Sequence, residues 1–119
     1  DRVYAALAAR AAELMAMGES VVIDASWAAA RHREAARAAA QAARAPVVEV
    51  VLDAPPEVAR ARIRARAARG GDPSDATPEI AARLAAAFDP WPEAHRLYAA
   101  RPPASVLGEA ASVARTPGP

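Results

Sequence analysis

Cysteine, lysine and asparagine are all absent from the 119 residues, and aromatic side chains are few. Without cysteine there is no disulfide framework, no thiolate nucleophile and no zinc–thiolate site. Without lysine no ammonium group can grip a phosphate, so every fixed positive side chain is a guanidinium. The scarce aromatics Trp27, Phe88 and Trp91 suit core or lid packing rather than a stacking platform for bases. No apolar run approaches the roughly 20 residues that a membrane-spanning helix needs. The net charge of +1 predicts no general attraction to nucleic acid or to an acidic membrane surface. A chain of this length is one domain in size and can bury a core. It opens on Asp1-Arg2-Val3 inside a helical pattern, without an initiating methionine or a signal-peptide pattern. The expectation is a soluble, cytoplasmic piece of a longer protein.

Roughly a third of the chain is alanine, which suits either face of a helix and blurs hydrophobic periodicity. The same compositional bias lowers the information carried by any single arginine. Against that background Ser20-Val21-Val22-Ile23-Asp24-Ala25-Ser26-Trp27 stands out. A continuous β-branched run ending on an acid and a hydroxyl reads as a strand buried on both faces of a parallel sheet.

Before it, Val3, Leu7, Ala11 and Leu14 predict a helix over about 2–17, stopped by Gly18. After it, a helix over about 29–44 carries Arg31, Arg33, Glu34 and Arg37 on its polar side. Pro46 ends that helix, and residues 47–52 predict a second buried strand. Pro56 then sits at the first helical position, with Glu57 beside the positive helix end. This third helix breaks at Gly70-Gly71, and residues 72–77 form a loop. Thr77-Pro78-Glu79-Ile80 restarts a helix, whose buried side is marked by Ile80, Leu84, Ala87 and Phe88. Asp89-Pro90-Trp91-Pro92 breaks the chain again. Residues 95–99 fit a short strand or a helical turn. A last helix holds Val106, Leu107, Ala110 and Val113, and residues 116–119 are a frayed tail. The alternation places the chain in the α/β class with parallel strands.

Three constellations can carry chemistry. Asp24 and Ser26 end a strand, and open parallel sheets bind ligands beyond their strands' carboxyl ends. An acid there can hold magnesium through water; alternatively, it caps the next helix or pairs with an arginine. Secondly, at about 100° per residue, Arg62, Arg66 and Arg69 fall within roughly 60° of one another, apart from Arg60 and Arg64. Guanidinium forks so grouped suit a triphosphate, although a solvated arginine face has the same spacing. Thirdly, Gly70-Gly71 permits hinge-like motion, and Asp72 and Asp75 are placed to latch the arginines. An ordinary helix-terminating turn explains the glycines equally well. His32 reads as solvated, and His95 as structural.

The order VVIDASW, Arg33, LDAPPEVARARIRAR and GGDPSDAT resembles the AAA-type P-loop kinase family of polynucleotide kinase, zeta-toxin and gluconate kinase relatives. Most closely it is similar to the ATP-binding half of bifunctional aminoglycoside phosphotransferase/ATP-binding proteins. The resemblance implies a P-loop NTPase (adenylate kinase-like) three-layer fold with a parallel sheet, incomplete at the N-terminus and spanning residues 1–115. It implies a lid at about 60–78 and ATP with magnesium as cofactors. Asp24 then assists magnesium, and Ser26 and Arg33 face the substrate, with Arg33 alternatively anchoring its helix. Arg62, Arg66 and Arg69 bind the phosphates, with Asp75 in the moving segment of the lid. The implied function is phosphoryl transfer from ATP to a small-molecule hydroxyl, in a piece inactive alone; the alternative is a non-catalytic nucleotide-binding or regulatory module. No GxxxxGK followed by serine or threonine occurs here. That phosphate-gripping segment is the partner this domain implies, lying before Asp1, with its strand between the two strands present.

Overall fold

The computed structural model describes residues 1–71 and 77–115. Helix α1 (Arg2–Ala16) is followed by α2 (Ala30–Ala42), strand β1 (Val50–Asp53), α3 (Pro56–Arg69) and α4 (Pro78–Ala86). Strand β2 (His95–Tyr98) and helix α5 (Pro103–Arg115) complete the order. The two strands pair in parallel, with Val50 opposite His95 and Asp53 opposite Tyr98. Parallel partners require a long crossover, which α3 and α4 supply. Helix α1 packs on α2, α3 on α4, and α5 on β2. This is an α/β architecture, and the 95–99 segment resolves as a strand.

Local chemistry sets the helix ends. After α1, the Gly18 and Glu19 amides donate to the carbonyls of Met15 and Leu14, at 2.9 and 3.1 Å. This double closure is a Schellman stop, and it needs the left-handed φ of +82° that Gly18 adopts. A Cβ at Gly18 would meet nothing within 4 Å, so only the backbone would resist one. Gly18→Ala is therefore expected to lower stability by about 1 kcal/mol, read as a shift in the urea midpoint at constant slope. Pro56 opens α3, and the Thr77 hydroxyl accepts from the Ile80 amide at 3.2 Å to cap α4.

Among the described residues the buried apolar core is small: Ala11, Ala40, Ile63, Trp91 and Leu97. The radius of gyration, 15.6 Å, exceeds the roughly 13–14 Å of a fully compact domain of this length.

Three expectations need correction. Residues 20–27 form no regular element and lie in no ladder, and Val22 is 95% exposed. A β-branched run encodes a wish for burial, but a ladder needs a neighbour. Among the described residues β1 is bonded to β2, and no strand pairs with 20–27. Secondly, the second strand, expected to be buried over 47–52, is β1 from Val50, and none of its residues is buried, Leu52 being 63% exposed. Thirdly, α4 buries none of its residues, and Ile80 and Leu84 are exposed. The segment expected to move as a lid includes Asp72 and Asp75, which lie outside the described residues, as does the 116–119 tail.

Candidate functional site

A groove opens where the chain leaves the carboxyl ends of β1 and β2. Leu52, Ala54, Ile63 and Ala99 form its apolar floor, and Arg62, Arg66 and Arg69 reach it from α3. Its volume of about 530 Å³ lies within the range of small-molecule sites. The floor exists because Leu52 is the penultimate residue of β1, which ends at Asp53, and the chain then turns through Ala54-Pro55 into a helix begun by Pro56. Small side chains at Ala54 and Ala99 keep the strand ends open. The arginines share the groove because positions 62, 66 and 69 lie on one stripe of α3. Arg60 and Arg64 do not line it. Among the described residues Arg62 and Arg69 make no ion pair, so their forks stand ready for an anion.

Asp24 and Ser26 do not line that groove. Both are exposed on the irregular segment before α2, and the chain turns sharply after them at Trp27, whose φ is +53°. A bulky residue in the left-handed region costs about 1–3 kcal/mol, so neighbouring contacts must hold it. The Tyr4 hydroxyl accepts from the Trp27 amide at 3.2 Å and lies 2.9 Å from Ser26 Oγ. His32, expected to be solvated, stacks on Tyr4 with ring centroids 3.9 Å apart. Among the described residues Asp24 neither caps a helix nor pairs with an arginine. The cap on α2 comes instead from Asp89, whose Oδ2 accepts from the Ala30 amide at 2.8 Å.

Arg33 is buried, with 3% exposure. Its guanidinium donates to the Asp89 carbonyl at 3.2 and 3.3 Å and to the Pro90 carbonyl at 3.1 Å. It also lies 4.7 Å from the Trp91 ring centre and 5.6 Å from that of Phe88. A cation with its donors directed at carbonyls and its faces against rings is an anchor. Of the two roles implied for Arg33, this geometry matches the anchoring one.

Beside it lies a second polar cluster that the sequence did not flag. Glu49 accepts from Arg37 Nε and Nη2 at 2.5 and 2.9 Å, and from Trp91 Nε1 at 2.5 Å. Hydrogen bonding by Arg37 outweighs desolvation and, with Trp91 and the nearby Arg33 charge, holds the Glu49 carboxyl below its usual value of 4.5. Its available signal was one acid interrupting the apolar run Val47-Val48-Glu49-Val50-Val51. Because the folded pKa is depressed, the unfolded chain binds the proton more tightly. The stabilisation is complete above about pH 4.5 and is lost as pH falls through the folded value. Glu49→Gln should cost about 1–3 kcal/mol at neutral pH and flatten this acid limb, measured by urea titrations at stepped pH.

Among the described residues no group of three or more acids, histidines or cysteines could hold a metal. Magnesium nevertheless needs only one or two carboxylates when water and phosphate oxygens complete its shell. Asp24 fits that limited demand. No helix among the described residues is long and apolar enough to cross a membrane.

Parallel strands opening at their carboxyl ends onto an arginine-rimmed groove define a class: α/β proteins with a groove at the strand ends, where such sheets bind ligands. A family model described as an AAA domain matches residues 1–91. The chain therefore belongs to that AAA domain family, whose members are P-loop NTPase-like nucleotide-binding proteins. It is 38% identical over 114 residues to the uncharacterized protein Rv2004c of Mycobacterium tuberculosis and to the uncharacterized protein Mb2027c of Mycobacterium bovis. These alignments cover 96% of the chain and 22% of each relative, so the chain spans about a fifth of their length. No solved structure matches.

Proposed function

We propose that this domain is the C-terminal part of an ATP-dependent small-molecule kinase. The observation that carries the proposal is the convergence of Arg62, Arg66 and Arg69 on one apolar-floored groove at the strand ends. The floor suits a nucleoside, and the guanidinium groups suit the phosphate chain. Asp24 holds magnesium through water, and Ser26 faces the acceptor. In the transfer, an acceptor hydroxyl oxygen forms a bond to the γ-phosphorus as the bond to the bridging β–γ oxygen breaks. ADP leaves, and the hydroxyl proton passes to a base outside these residues. The arginines neutralise charge on the phosphoryl oxygens, and bound magnesium screens the phosphates. An upstream segment of the same protein supplies GxxxxGK with serine or threonine, its strand running beside residues 20–24. The exposed Val22 gives that strand a face to cover.

The placement of Asp24 and Ser26 outside the groove favours a second reading: a nucleotide-sensing module attached to an aminoglycoside phosphotransferase-like domain. Turnover of γ-labelled MgATP by the full-length protein, with and without hydroxyl compounds including aminoglycosides, separates them. Kinase function gives acceptor-dependent label transfer. Binding of MgATP without transfer to any acceptor favours the module, and absence of binding rejects both.

A further inference from the structure

We propose that Tyr4 and Asp89 are positioning residues that clamp the corner carrying Asp24 and Ser26. Two arms from distant parts of the chain converge on residues 26–30. From α1, the Tyr4 hydroxyl bonds Ser26 Oγ and the Trp27 amide at 2.9 and 3.2 Å, while its ring lies 5.1 Å from that of Trp27. From the connection after α4, the Asp89 amide donates to the Ala28 carbonyl at 2.8 Å, and its carboxylate accepts from the Ala30 amide at 2.8 Å. The indole Nε1 of Trp27 donates to the Ile23 carbonyl at 3.4 Å, closing the turn around Asp24.

The corner lies in no ladder, and its bulky residue has a left-handed φ of +53°. Its shape is therefore imposed by these side chains rather than by a sheet. Asp24 and Ser26 are exposed, so the clamp adds little burial there; what it fixes is direction. The hydroxyl chemistry sharpens the point. With the Tyr4 oxygen accepting from the Trp27 amide, the phenolic proton can go to Ser26 Oγ. The serine proton is then left to be donated outward, to a phosphate or acceptor oxygen. Tyr4→Phe keeps the ring and removes this ordering. Neither residue touches the reacting atoms; each acts through the corner, whose use in phosphoryl transfer rests on the kinase reading.

The test uses full-length protein labelled with 5-fluorotryptophan, the Trp27 fluorine signal being assigned with Trp27→Phe. Tyr4→Phe and Asp89→Ala should each displace that signal. Each should lower kcat for MgATP hydrolysis by about tenfold to a hundredfold, as small misplacements of reacting groups do, with KM for MgATP nearly unchanged. Asp89→Asn, which retains a capping oxygen, should restore both readouts. An unmoved Trp27 signal in Tyr4→Phe, or an unchanged kcat in a protein that does hydrolyse MgATP, overturns the proposal. A kcat loss that Asp89→Asn fails to restore overturns the assignment of Asp89. If the unaltered protein neither binds nor hydrolyses MgATP, the kinase reading fails. The clamp is then decided by the fluorine signal alone: displaced in Tyr4→Phe, it stands, and unmoved, it falls.

Discussion

Arg33→Ala is expected to destabilise the domain by about 4 kcal/mol, more than any other single substitution considered. The change deletes three hydrogen bonds and leaves the Asp89 and Pro90 carbonyls without their guanidinium partner. Asp89 and Pro90 are themselves exposed, so water partly replaces these bonds, and each costs about 0.5–1.5 kcal/mol. The rings of Trp91 and Phe88 lose the cation beside them, for about 0.5–2 kcal/mol more. A cavity beneath α2 adds to the loss. Arg33→Lys should recover less than half, because an ammonium cannot serve two carbonyls and two ring faces from one plane. Hydrogen exchange in residues 28–37 and 88–97 of the full-length protein, followed through a urea series, reads the local loss directly. Unchanged protection in Arg33→Ala would reject the anchor.

The second large effect lies in the groove. Arg62→Ala combined with Arg66→Ala should weaken MgATP binding by about a hundredfold or more. Each lost charge-assisted hydrogen bond is worth about 1.5–3 kcal/mol, and 1.4 kcal/mol is tenfold. Arg60→Ala with Arg64→Ala removes the same charge from the same helix, but from positions that do not line the groove. That control should change affinity by no more than about threefold, as expected for screened charges. Equal losses in the two double variants would reduce the arginines to a general electrostatic field. Calorimetric titration of the full-length protein at fixed ionic strength distinguishes the outcomes.

These contrasts show which features a one-dimensional reading can reach. Gly18, Pro56 and Thr77 act on their own turn of backbone, so the helix ends they set were legible. The stripe of Arg62, Arg66 and Arg69 was legible too, because a helix converts spacing directly into direction. The state of residues 20–27 was not. Val21-Val22-Ile23 declares a preference for burial, yet pairing depends on a neighbour that composition cannot name. Arg33 was noticed as an arginine after an acid, but nothing local says that it points inward against Trp91. Glu49 and Asp89 were missed altogether, since their partners lie 12 to 59 residues away. Asp89-Pro90-Trp91-Pro92 reads as a chain break, whereas its carbonyls, carboxylate and indole organise both polar clusters. Alanine contributed to the silence, because a helix rich in alanine has no marked face until its partner is known.

The central claim is that a nucleotide occupies the groove between α3 and the ends of β1 and β2. Photolabelling the full-length protein with 8-azidoadenosine triphosphate and magnesium, with the modified residues then mapped by mass spectrometry, tests it most directly. The expected result is label between Leu52 and Ile63 or on Tyr98–Arg101, abolished by excess unlabelled MgATP and strongly reduced in Arg62→Ala plus Arg66→Ala. Label confined to other segments, or label in these segments that unlabelled MgATP does not displace, would contradict it.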